Sequence, residues 1–248
     1  MFRHETFPNA PITEALIDLR VTFGQDVTPE QLDDLSERFL RRFPKKEPQT
    51  EIEHQLMFHQ GGSGTETHVK AKRLGYVLFS QERDKAVQLR VNGFSFSKLK
   101  PYEDWDSLRD ETLEHWEMYR SAMGPSRIVR LAVRYINRIE IPLPVSDFRD
   151  YILTGLQIAD GVPQGLEEFF FRAVIPNPDD PKMKAAVNST FEDLENEALP
   201  YIFDIDAFTP VDLDPADKVV WSTLESLRDY KNLIFFMSMS ERAKELFR

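Results

Sequence analysis

RIVRLAVRYINRIEI, residues 127–141, decides how the rest of the chain is read. Its odd positions Val129, Leu131, Val133, Tyr135, Ile139 and Ile141 are apolar. Arg130, Arg134 and Arg138 all fall on the even positions. A period of two marks a half-buried strand, with one face on a core and the other carrying polar groups. The same pattern occurs near the start of the chain, over residues 13–23. There Ala15, Ile17, Leu19, Val21 and Phe23 are apolar, Glu14, Asp18, Arg20 and Thr22 are polar, and Leu16 is the exception.

The segments following the two strands have similar order. In the first half, Thr28-Pro29-Glu30-Gln31 carries a capping box and opens a helix with Leu32, Leu35, Phe39 and Phe43 inward and Pro44 beyond. Residues 51–60 read as a strand and Gly61-Gly62-Ser63-Gly64 as a loop. Residues 73–81 and 85–99 read as a hairpin. The apolar parity flips from Val87, Leu89 and Val91 to Phe94 and Phe96, which predicts a β-bulge at Gly93. A long helix over residues 104–123 places Trp105, Leu108, Thr112, Trp116, Tyr119 and Met123 inward, and Gly124-Pro125 stops it.

In the second half, a short helix is expected over residues 146–153 with Ser146 as cap. Strands follow at 168–175, 183–191 and 201–208. The turn 176–181 separates the first two, and Pro210 lies past the last. A closing helix from Asp214 turns Val220, Leu224, Leu227 and Ile234 inward, and Ser240 caps a final turn. No alternation of parallel strands with Gly-rich phosphate loops is present. The expected class is therefore α+β: two pseudo-repeated β-α-β-β-β-α halves, residues 10–124 and 125–248, in a single domain. A mostly antiparallel curved sheet would carry the long helices on one face, in a helix-grip-like arrangement.

Composition narrows the function classes. The 248 residues carry 31 Lys+Arg and 42 Asp+Glu, a formal net charge of −11. That balance argues against nucleic acid as a partner, since phosphates need a basic surface. The absence of cysteine excludes disulfides, thiolate metal sites and Cys nucleophiles. No apolar run is long enough for a membrane span, and residues 1–8 do not read as a signal peptide.

Asn9-Ala10-Pro11-Ile12-Thr13-Glu14-Ala15 resembles the opening of a sporadically distributed prokaryotic family of proteins of about this length, whose signature is A-P-I-x-E-A. Residues 227–235 with Ser240-Glu241, and the Arg-rich strand 130–138, are similar to that family as well. The resemblance implies a prokaryotic, cytoplasmic protein and brings no catalytic residues with it.

The arginine stripe is the leading candidate site. Alternate steps along a strand place Arg130, Arg134 and Arg138 on one face, about 13 Å apart for each four residues. Pairing of the two alternating strands would bring Asp18, Arg20 and Glu14 beside them. Guanidinium forks suit phosphate and carboxylate, so Asp18, Arg20, Arg130, Arg134 and Arg138 form a candidate ligand-binding set. The competing reading is an internal ion-pair network among the same residues.

Asp204 and Asp206, an Asp-x-Asp pair on one strand, could hold Mg²⁺ for phosphoryl or nucleotidyl transfer. Equally, they could pair with arginines. His4, His54, His59, His68 and His115 show no metal-ligand spacing, and His115 reads as a boundary residue on the long helix. Ser95 and Ser97, after the expected bulge, could face the same groove as Gln88, Arg90 and Asn92 do earlier on that strand. Phe169-Phe170-Phe171 reads as core unless Phe170 is exposed, which would indicate a partner surface.

The expected function is a non-catalytic binding or interaction protein taking an anionic small molecule or an acidic protein partner, with no cofactor. A homodimer stays open. The alternatives are the Asp204/Asp206 enzyme and a component of a defence or toxin–antitoxin module.

Overall fold

The computed structural model describes residues 5–58, 65–159, 161–163, 165–195 and 197–248, with the backbone alone for 51–58 and 65–72. The loop Gly61-Gly62-Ser63-Gly64, His4 and His59 lie outside the described residues, as do the side chains of His54 and His68.

The protein is α+β. Its strands are β1 (Ile12–Thr22), β2 (Lys45–Phe58), β3 (Thr65–Phe79), β4 (Lys85–Arg90), β5 (Gly93–Leu99), β6 (Arg127–Pro142), β7 (Phe171–Pro176), β8 (Lys184–Phe191) and β9 (Ala198–Leu213). Its helices are α1 (Gln31–Phe39), α2 (Trp105–Met123), α3 (Val219–Ser238) and α4 (Glu241–Glu245). The strands form one antiparallel sheet in the order β2-β3-β4-β5-β1-β6-β9-β8-β7. The two alternating strands, β1 and β6, are neighbours at its centre, with Leu16 opposite Arg134, Asp18 opposite Ala132 and Arg20 opposite Arg130.

The alternation divides the two faces as the sequence predicts. Ala15, Ile17 and Leu19 of β1 and Leu131, Val133 and Tyr135 of β6 are buried against the helices. α2 covers β5 and β1, α3 covers β6 and β9, and α1 packs beside α2 against β3 and β4. Trp116 and Tyr119 of α2 meet Phe94 of β5, while Phe39, Phe43 and Phe96 surround His115. Each such ring withdrawn from water contributes about 1.5–3 kcal/mol. The ends of α2 follow from local chemistry. The Asp104 carboxylate accepts the Ser107 N–H at 2.7 Å, and Gly124 closes the helix in the left-handed region at φ 59°.

Several expectations need correction. The segment read as one bulged strand is two strands, β4 and β5, joined by a tight turn at Val91-Asn92. Pairing Leu89 with Phe94 and Val87 with Phe96 sets each odd position opposite an even one, so the parity flip is a chain reversal. A bulge does occur between β2 and β3, where Gln49 faces Gly75 and Thr50 faces Arg73, leaving Leu74 unopposed. The first half therefore has four strands between its helices, not three.

Glycine is needed at Gly93 for another reason. A Cβ there would lie 2.5 Å from the Leu19 carbonyl oxygen on β1. Gly93→Ala is expected to destabilise the protein by about 1–3 kcal/mol, because backbone cannot yield as a flexible side chain does. A chemical-denaturation midpoint unchanged from wild type would refute this.

The helix expected over 146–153 is a single 3₁₀ turn, Phe148–Asp150, capped by Asp147 and not by Ser146. Only Tyr151 and Ile152 nearby are buried, too few to repay helix nucleation. β9 runs five residues past the expected end at Phe208 and includes Pro210. Pro210 faces Arg130 beside a register shift between Ile128 and Arg130, the kind of irregularity where a strand tolerates proline. His115 is fully buried, and burial pushes its imidazole down to about 4, so it is a neutral core residue instead of a boundary one.

Candidate functional site

The face of the sheet opposite the helices is polar. Asp18, near its centre, accepts hydrogen bonds from three arginines. Arg90 reaches it from β4, Arg20 Nε lies at 3.1 Å and Arg130 Nη1 at 3.2 Å. Arg130 also donates from Nη2 to Asp206 at 2.9 Å. The chain of bonds continues outward, with Arg90 donating to Gln88 at 2.8 Å and Gln49 donating to Gln88 at 3.1 Å.

A second chain of bonds runs beside it. Arg134 grips Asp204 bidentately, with Nε and Nη2 each 2.8 Å from a carboxylate oxygen. Asn188 donates to Asp204 at 2.9 Å and receives Arg172 at 2.6 Å. Together the two chains span the sheet from β2 to β7 on one face.

Its electrostatics vary with depth. Arg90 and Asp18 are both nearly sealed from water, and burial lowers the guanidinium's pKa against the pull of Asp18. Burial likewise pushes the Asp206 carboxyl up, with Arg130 and then Arg134 opposing it. The hydrogen bond to Asp204 raises Arg134. The Arg134 side chain nevertheless stays 41% exposed, Arg20 36% and Arg130 30%, so these three guanidiniums meet solvent while bonded from behind.

Four of the five candidate ligand-binding residues, Asp18, Arg20, Arg130 and Arg134, are brought onto one surface. Arg138 stands apart. Its guanidinium is taken by Glu140, Glu192 at 2.9 Å and Glu195 at 2.5 Å, in a hollow of about 400 Å³ lined also by Ala198. Asp204 and Asp206 each have an arginine as direct partner, and among the described residues no group of three His, Asp or Glu is placed to hold a metal ion.

Ser95 and Ser97 do lie on this face. Both hydroxyls are buried without a hydrogen-bond partner, as is Arg90 Nε. Phe170 is 71% exposed next to β7, the strand that ends the sheet.

Sequence reasoning placed Arg90 toward the groove but did not pair it with Asp18, and it missed Asn188 and Arg172. Gln88 and Arg90 alternate on β4, but the cross-strand register that carries Arg90 to Asp18 depends on the turn at Val91-Asn92. Asn92-Gly93 is a hairpin signal in the sequence and marks a reversal within one residue of the observed turn, though not its register. No local signal marks Asn188 or Arg172, whose roles come from the β7-β8-β9 registers.

No helix among the described residues is long and apolar enough to cross a membrane. Comparison with known proteins finds no family model, no curated relative and no solved structure that matches this chain.

Proposed function

We propose that this is a binding protein whose open sheet face receives an anionic small molecule. One observation carries the reading. Within the two bonded chains of that face Arg20, Arg90, Arg130, Arg134 and Arg172 outnumber Asp18, Asp204 and Asp206, although the chain as a whole carries −11. Partial exposure of Arg134 and Arg130 leaves donors free to turn toward a ligand, and the carboxylates behind them fix the forks in place. Arg138, ringed by glutamates, lies outside the proposed site.

Native mass spectrometry of protein purified gently from its host tests this reading. The expected result is a retained mass of a few hundred daltons that Arg134→Gln loses. Because Arg134→Gln leaves Asp204 without its arginine, the double variant Arg134→Gln/Asp204→Asn serves as the folded control and is expected to lose the mass too. Retention of the mass by both variants would reject Arg134 as a ligand contact, and its absence from wild type would reject the anionic-ligand reading.

A protein partner is the second reading, favoured by Phe170 beside the free edge of β7. A second chain retained in the same spectrum would support it.

We also infer that residues 10–124 and 125–248 are copies of one unit, in a helix-grip-like arrangement. Outward from the central pair, the order β5-β4-β3 on one side matches β9-β8-β7 on the other, each half closing with a long helix. Among the described residues β2 has no counterpart in the second half, and the single 3₁₀ turn Phe148–Asp150 stands where α1 does in the first. The fold alone assigns no function.

A further inference from the structure

At one margin of the polar face, the turn between β7 and β8 and the start of β8 come beside β6 and β9. Between them lies a cleft of about 550 Å³, lined by Val129, Arg130, Pro181, Lys182, Lys184, Phe208 and Pro210. The cleft is open to solvent, and its volume is within the range of small-molecule sites, commonly about 300–1,000 Å³.

The lining has two chemistries. Val129, Pro181, Phe208 and Pro210 supply apolar wall, while Arg130, Lys182 and Lys184 supply positive charge, and no carboxylate is among the lining residues. The Arg130 guanidinium lies over the Phe208 ring, 4.8 Å from its centroid. Arg130 Nη1 and Nη2 are held by Asp18 and Asp206, and Nε makes no hydrogen bond among the described residues. Neither Lys182 nor Lys184 forms an ion pair among the described residues, unlike Arg130, Arg134 and Arg138.

Free ammonium groups beside an anchored guanidinium make a site for concentrated negative charge. Three cations suit a dianion better than a single carboxylate, which one guanidinium fork would satisfy. The apolar wall would repel a bare, fully hydrated anion and favours one joined to a flat apolar body. We propose that this cleft binds a phosphate monoester with an aromatic or otherwise apolar body. Arg130 and the two lysines would hold the phosphate, and the body would lie along Phe208, Pro181 and Pro210. The proposal rests on the anion-binding reading of the sheet face and deepens it by naming the ligand class and the end of the face where it sits.

Calorimetric titration of the full chain with 1-naphthyl phosphate, and separately with inorganic phosphate, tests it. The expected result is one naphthyl phosphate bound per chain, with inorganic phosphate at least tenfold weaker. Lys182→Gln/Lys184→Gln is expected to weaken naphthyl phosphate at least tenfold and leave the melting temperature unchanged, since both side chains are exposed. Equal affinity for the two phosphates would overturn the role of the apolar wall. Unchanged affinity in the lysine variant, or no binding by wild type, would overturn the site.

Arg134→Gln, outside the cleft lining, separates this proposal from the wider one. Loss of binding in Arg134→Gln alone overturns the cleft while the sheet-face reading stands. Loss in the lysine variant alone supports the cleft and counts against Arg134 as a ligand contact.

Discussion

Asp18→Asn is expected to destabilise the protein by about 3–5 kcal/mol. The size follows from what the substitution leaves behind. Arg90 is only 4% exposed, and Asp18 is its sole carboxylate partner among the described residues. A guanidinium has no accessible neutral form, so Arg90 cannot escape the penalty by losing its proton. Removing one member of a buried pair leaves an uncompensated charge, which typically costs about 3–5 kcal/mol. Arg20 and Arg130 lose a shared acceptor at the same time, but they reach solvent and cost less.

Asp18→Asn/Arg90→Met separates the two contributions. Replacing both charges removes the uncompensated one, so the double variant should be more stable than Asp18→Asn alone. This ordering is the signature of a buried ion pair, because independent losses would add. Urea denaturation of the three proteins would decide it. A loss under about 1 kcal/mol for Asp18→Asn would show that water reaches Arg90 in the native state.

The centre of this network was legible in the sequence, and the reason is geometric. A strand has a period of two, so the parity of Arg130 and Arg134, and of Asp18 and Arg20, assigns each to a face without knowledge of the fold. The helix-facing residues of β1 and β6 were legible by the same rule. What parity cannot supply is register. Arg90 reaches Asp18 across β5, and Arg172 reaches Asp204 through Asn188, only once turns and neighbouring strands are fixed.

Burial on the helices was legible in part. The inward stripe Leu224, Leu227 and Ile234 of α3 has a gap that Lys231 fills at helical spacing. His115 lies three residues after Thr112 and four before Tyr119 on the buried stripe of α2. In both cases a polar residue interrupts an apolar stripe at a position the period would bury. Residue type alone suggested a boundary for His115, and nothing in its type indicated the cage of Phe39, Phe43 and Phe96, which comes from α1, the segment after it and β5.

Lys231 carries the other large expectation: Lys231→Met should stabilise the protein by about 2–4 kcal/mol near pH 7. Its ammonium lies 3.5 Å from the centroid of the Tyr135 ring, and no carboxylate pairs with it among the described residues. The Tyr135 hydroxyl is itself bonded to that of Tyr102 at 2.7 Å. Burial, assisted by the charge of Arg228, brings Lys231 down to about 7 from the ordinary 10.5. The folded state therefore gives up the proton near pH 7, while the unfolded chain keeps it to about 10.5. Between these values the unfolded state binds more protons, so stability rises with pH across the window, and the full penalty applies below it.

The tyrosines set the upper limit of a clean measurement. Tyr102 is raised to about 12, and burial raises Tyr135 as well, so above pH 10 the unfolded chain loses phenolic protons that the native state retains. That reverses the slope, which leaves pH 7–9.5 as the range in which Lys231 can be read. Methionine keeps the unbranched stem and supplies a polarisable tip for the Tyr135 ring. Equilibrium unfolding should show wild-type stability climbing from pH 7 to 9.5 and the Lys231→Met protein more stable with a flatter profile. Equal slopes in the two proteins would mean that Lys231 keeps its proton in the native state, with the tyrosine ring and local water supplying what burial takes away.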